Sequence, residues 1–290
     1  MAGSVLDTKG KEQWYDKLWR IVNSTVCFTL AYTLITFGGF FTMALVGEFF
    51  KFDANIYYFG IRFLRNNHPW SKFAVSAIYS TYPVFALLFG LAMLYLYDKI
   101  KRRPSLLNVF FVWCFVIGAS FFISQGLLAS MSSLEQASPF YQHFAVVYAW
   151  WFLPLPFVYA TNVFFFALLL YFSINYPKLF LSFSYSFSKV NKSSRRRRYF
   201  LETAVVPFIL GALITTAITY PMNIFVHAIY LLIIGVSLLV SWIALFYLEI
   251  LKDDVLKYKV LQQFGFVMIF ALVGFVVFIK IYWRGIFVLF

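Results

Sequence analysis

A chain of 290 residues that is 62% hydrophobic and only 12% charged does not read as an ordinary soluble domain, where about a quarter of residues carry charge. Its net charge of +13 comes from Lys and Arg beside long apolar runs, which points to anionic lipid headgroups and not to nucleic acid. The expected class is an all-α polytopic membrane protein of about seven transmembrane helices.

Residues 1–20 carry both signs of charge and then become amphipathic, with Trp14 and Leu18 on one helical face and Tyr15 and Trp19 beside it. They read as a cytoplasmic amphipathic segment lying in the headgroup region, ahead of a single transmembrane helical domain over 21–290. The first span is expected at 21–46. It is too long for a signal-peptide core and lacks a small-x-small cleavage site, so no cleavable signal is expected. Thr25, Thr29, Thr33 and Thr36 fall on one face of it, as helix–helix glue or, in a sharper reading, as one wall of a hydrophilic path.

The connection 47–72 mixes aromatics with Lys51, Arg62 and Arg65, and 55–64 has a composition that suits extended chain. The second span (73–97) contains Pro83. A basic connection with Lys99, Lys101, Arg102 and Arg103 leads to the third span (109–129). Cys27 and Cys114 fall inside spans as free thiols, and two cysteines make no disulfide framework.

The fourth span (145–172) begins with Tyr148, Trp150 and Trp151 and is interrupted by Leu153-Pro154-Leu155-Pro156. Each proline frees the carbonyl four residues back, here those of Trp150 and Phe152. The expectation is a kink, or a broken helix whose carbonyls line a cavity.

Residues 173–202 form the most basic stretch, read as a cytoplasmic loop with Lys178, Lys189, Lys192, Arg195, Arg196, Arg197 and Arg198. Within it, KLFLSFSYSFSK alternates Leu181, Phe183, Tyr185 and Phe187 with serines. Period two predicts a short strand-like segment whose edge, with the four arginines, would contact a partner. An irregular interfacial segment is the blander alternative. Spans five (203–220), six (229–248) and seven (264–283) complete the chain.

With the N-terminus inside, the inner segments hold four, four, seven and three Lys or Arg, and the outer ones four, none, none and two. That 18 to 6 bias orients the chain N-terminus in and C-terminus out, most simply in a bacterial cytoplasmic (inner) membrane.

Chemistry is sparse. Ionisable groups are nearly missing from the middles of the spans, which disfavours an ion-coupled carrier. His68, His143 and His227 lie in three outer connections and are weak metal candidates, with no HExxH or paired spacing behind them. No catalytic residues and no cofactor are expected. Over 47–90, less than a fifth of the chain, an aromatic strand-like stretch followed by a Pro-interrupted helix resembles site-2-type intramembrane metalloproteases. The zinc motif is missing around FTMALVGEFF, so the resemblance implies at most a degenerate scaffold. The favoured function is a non-enzymatic subunit or scaffold of a membrane complex, with anionic headgroups and other protein subunits as partners. The alternative is a carrier or binder of a lipid-like hydrophobic substrate.

Overall fold

The computed structural model describes residues 14–57, 60–64, 69–103, 105–132, 142–184, 186–220, 224–248, 261, 265–282 and 286–288. Among these residues six helices are long and apolar enough to cross a membrane, and the chain is a multi-pass integral membrane protein. The first, α1 (Trp14–Phe49), has 36 residues and is about 54 Å long at 1.5 Å per residue. It runs without a break from the amphipathic turns into the apolar span, so Trp14 and Leu18 are exposed while Arg20 is buried on the same helix. Residues 1–13 lie outside the described residues.

After α1 comes a hairpin, β1 (Ala54–Tyr57) and β2 (Gly60–Phe63), antiparallel with Ala54 opposite Phe63. The helices α2 (Lys72–Ile100) and α3 (Leu106–Ser132) follow. Ser71 caps α2, its hydroxyl accepting from the Ala74 N–H at 3.1 Å. Helix α3 is the most enclosed of the spans and forms the axis of the bundle.

The fourth apolar run is two helices, α4 (Phe144–Trp151) and α5 (Leu155–Leu181). Phe152 between them adopts the left-handed conformation (φ 51°, ψ 47°) and ends α4. Pro154 caps α5 and Pro156 sits in its first turn, where a missing N–H costs nothing. The prolines therefore start a helix. The Phe152 ring is 82% exposed, beneath the Lys72 ammonium at 5.4 Å. A left-handed residue with a Cβ costs about 1–2 kcal/mol. Phe152→Gly is therefore expected to stabilise the protein by about 1 kcal/mol, measured as a higher unfolding midpoint in detergent.

Most of 173–202 is helix and not loop. The last turns of α5 reach Leu181, and α6 (Ser193–Phe200), a π-helical turn (Leu201–Val205) and α7 (Val206–Thr219) run on as one continuous helix. The arginines sit on its first turns. The expected strand over 181–188 is not formed among the described residues. Leu181 ends α5, Ser182 and Phe183 turn, and Phe187–Lys189 is a single 3-10 turn; Tyr185 lies outside the described residues. Leu181 and Phe183 are both buried, so the alternation serves burial at a helix end. The serines close local bonds that compete with a ladder: Ser182 Oγ donates to Leu179 O at 2.6 Å and Ser184 Oγ to Ser186 O at 3.0 Å. The docking-strand reading is withdrawn.

Two further helices, α8 (Ile224–Ala244) and α9 (Phe266–Tyr282), precede β3 (Ile286–Val288), which pairs antiparallel with β1. The sheet order is β2-β1-β3; this small sheet is added to a predominantly helical membrane fold of the expected class. Cys27 and Cys114 are buried free thiols.

Candidate functional site

The starts of α1, α3 and α6 and the ends of α2, α5 and α8 share one end of the bundle, the basic end. Its centre is built by a proline. Pro207 has no N–H to offer the carbonyl four residues back, that of Thr203. The helix widens there into the π turn, closed by the Val206 N–H on Leu201 O. The freed Thr203 carbonyl accepts instead from Ser24 Oγ on α1 at 2.5 Å, and Ser24 Oγ accepts from Trp113 Nε1 on α3 at 2.9 Å. Three helices are joined through one hydroxyl.

The same widened turn carries Glu202. Its carboxylate meets Arg20 Nη1 at 3.4 Å and Arg198 Nε at 3.3 Å. Arg20 is only 1% exposed, and its guanidinium also lies 4.7 Å over the Tyr199 ring. One turn on, Asn23 Nδ2 donates to Leu261 O at 3.0 Å.

Around this core the basic segment is held in place. Arg195 Nη1 donates to Ser188 O at 2.8 Å and Arg196 Nη1 to Asn191 O at 2.9 Å. The Arg197 guanidinium covers the Phe246 ring at 4.1 Å and Trp242 at 5.4 Å. Beneath them Phe183 meets Tyr97, whose hydroxyl bonds Ser182 Oγ at 2.8 Å. Lys178, Lys192, Arg195 and Arg198 remain exposed, so this end presents fixed positive charge.

A second polar group lies toward the hairpin end. Tyr32 OH bonds His227 Nδ1 at 2.8 Å, and His227 Nε2 bonds Thr216 Oγ1 at 2.9 Å. Gln125 Nε2 donates to Tyr230 OH. His143 stacks on Tyr82 at 4.5 Å. His143 stands at the start of α4 and His227 in the first turn of α8, and both are buried. His227 has both ring nitrogens engaged, His68 lies outside the described residues, and no group of three or more His, Cys, Asp or Glu forms among the described residues. In the threonine stripe, Thr25, Thr29 and Thr33 donate back to Ile21 O, Thr25 O and Thr29 O of their own helix, and all three are buried in the bundle.

Of the residues singled out from sequence, Leu181, Phe183, Phe187 and the four arginines gather at the basic end. At the helix break, Trp151 Nε1 donates to Ser76 Oγ at 2.6 Å, next to the exposed Phe152. Arg20, Ser24, Trp113 and Glu202 were missed. The one local signal was Pro207 four residues after Thr203; nothing local names Ser24 as the partner.

Compared with known proteins, the chain matches no family model, no curated protein and no solved structure.

Proposed function

We propose that the chain is a non-enzymatic subunit or scaffold of a membrane protein complex, contacting an acidic face of another subunit through the basic end. In this reading it crosses a bacterial inner membrane seven times, with α9 as the seventh span and the basic end in the cytoplasm, as the 18 to 6 bias favours. Anionic headgroups flank the contact.

The observation that carries the reading is the ordering of the cationic surface. Free Lys and Arg side chains lose rotamer freedom on binding, about 0.5–1.5 kcal/mol for each one immobilised. Here Arg195, Arg196 and Arg197 are already bonded to backbone carbonyls or laid on aromatic rings, and Leu181, Phe183 and Val190 near them are buried. A charged surface shaped in advance suits a specific protein contact better than diffuse attraction to lipid does.

The test is affinity purification in mild detergent of the wild-type chain and the double variant Lys178→Glu, Lys192→Glu. Both side chains are exposed and neither belongs to the Arg20–Glu202 pair or to the bonds that hold the arginines. The expected result is at least a tenfold loss of a stoichiometric protein partner, since like charges facing one another cost several kcal/mol. An unchanged partner profile sinks the reading. Lipid co-purifying in place of any protein turns it toward the carrier alternative.

A further inference from the structure

Arg197 differs from the three arginines around it. Arg195 and Arg196 donate to the Ser188 and Asn191 carbonyls, and Arg198 meets the Glu202 carboxylate. Among the described residues Arg197 makes no hydrogen bond and no ion pair. Its contacts are two rings, Phe246 at 4.1 Å and Trp242 at 5.4 Å. A guanidinium laid on a ring uses its flat face, and the N–H groups on its edge stay available. Nε is enclosed without a partner, so the open part of that edge is the tip, Nη1 and Nη2. A guanidinium only donates, and what this one lacks is an acceptor.

The ring beneath marks where the acceptor comes from. Phe246 is 48% exposed and lies in the turn that closes α8, its N–H on Ile243 O. Below it on α8, Ile243, Leu239 and Leu232 are exposed as well. Their spacing from Leu232 is seven and eleven residues, which puts all three on one face of a helix. From Leu232 to Ile243 is about 16 Å at 1.5 Å per residue, close to half of a hydrocarbon core ~30 Å thick. A cation held in place therefore stands at the head of an apolar track one leaflet deep.

We infer that Arg197 and this stripe of α8 form a binding site for a single phospholipid, its phosphate on the guanidinium tip and an acyl chain along Ile243, Leu239 and Leu232. Two N–H groups side by side match two phosphate oxygens, the bidentate pairing that guanidinium makes best. The rings have already fixed the side chain, so little rotamer freedom is lost on binding. A soluble phosphate has the same oxygens but nothing to lay along the track. The inference takes from the proposed function only that this end lies among headgroups, and it gives one of them a seat.

The experiment is native mass spectrometry of the full chain, purified in mild detergent without a partner protein and titrated with dioleoyl phosphatidylglycerol. Wild type is expected to retain one lipid in clear preference to further copies, and excess glycerol phosphate is expected not to displace it. Arg197→Gln is expected to weaken that first binding about tenfold, the worth of a hydrogen bond to a charged group. Arg195→Gln removes the same charge from a side chain already bonded to Ser188 O, and is expected to cost several-fold less. Phe246→Leu keeps the track apolar but removes the ring under the guanidinium, and is expected to weaken binding several-fold; it decides the matter if Arg197→Gln does not fold. Equal losses in the two arginine variants, displacement by glycerol phosphate, wild-type affinity in Phe246→Leu, or no preferred first lipid would each overturn the inference. With no partner protein present, none of these outcomes depends on the subunit contact.

Discussion

Glu202→Gln is expected to lower stability by about 3 kcal/mol or more, a large loss for a change that keeps side-chain size. Removing one partner of a buried ion pair costs about 3–5 kcal/mol. Arg20, 1% exposed, is the buried charge that loses its bond to the carboxylate. The reverse change is milder, because Glu202 is less deeply buried and keeps Arg198 at 3.3 Å. Arg20→Met is therefore expected to cost about half as much as Glu202→Gln. The double variant is expected to recover to within about 1 kcal/mol of wild type, since replacing both members removes the buried charge along with its counter-charge. Chemical unfolding in detergent measures all three. Equal losses for the two single variants, with no recovery in the double, would mean the pair does not act as a pair.

The second large effect is expected from Gly118→Val. Helices α2 and α3 approach closely where Gly90 meets Gly118, since small residues let backbones come together when lipid offers no hydrophobic drive. A Cβ on Gly118 would collide with the Ala86 carbonyl oxygen and sit 3.2 Å from Gly90 Cα. Both neighbours are backbone and cannot rotate aside. Overfilling a close-fitted site costs about 1–3 kcal/mol, and the branched valine belongs at the upper end. Gly90→Ala should cost less, because its Cβ would stand 3.1 Å from the Cys114 oxygen and 3.2 Å from Phe115 Cα. The expected order of melting temperatures is wild type, then Gly90→Ala, then Gly118→Val. Because α3 also carries Trp113, displacing it is expected to weaken the bond to Ser24.

The basic stretch shows how local reading fails. Seven positive charges and alternating Ser and aromatics imply, residue by residue, a solvated loop with a strand in it. The chain makes helix on both sides, because Leu181, Phe183, Tyr199 and Phe200 all find buried places. A hydrophobic alternation specifies a strand only when a second strand is there to take its hydrogen bonds. At the other end of the chain the opposite occurred: no strand was expected after span seven, yet Ile286–Val288 pairs with β1.

What the sequence by itself determined is the membrane class, the apolar helices and the free state of the two thiols. These follow from local rules: a bilayer core needs about 20 consecutive apolar residues with their backbone bonds closed within the segment, and two buried cysteines need no partner. What only the tertiary structure decided is which polar groups meet. Ser24 reaches a carbonyl 179 residues away and Tyr32 a histidine 195 residues away. Pro207 ensures that one carbonyl in the helix is left free, but which side chain takes it depends on how α1 lies against the widened turn. Buried polar groups must be paired somewhere, and in a bundle the partner is chosen by the packing of helices and not by distance along the chain.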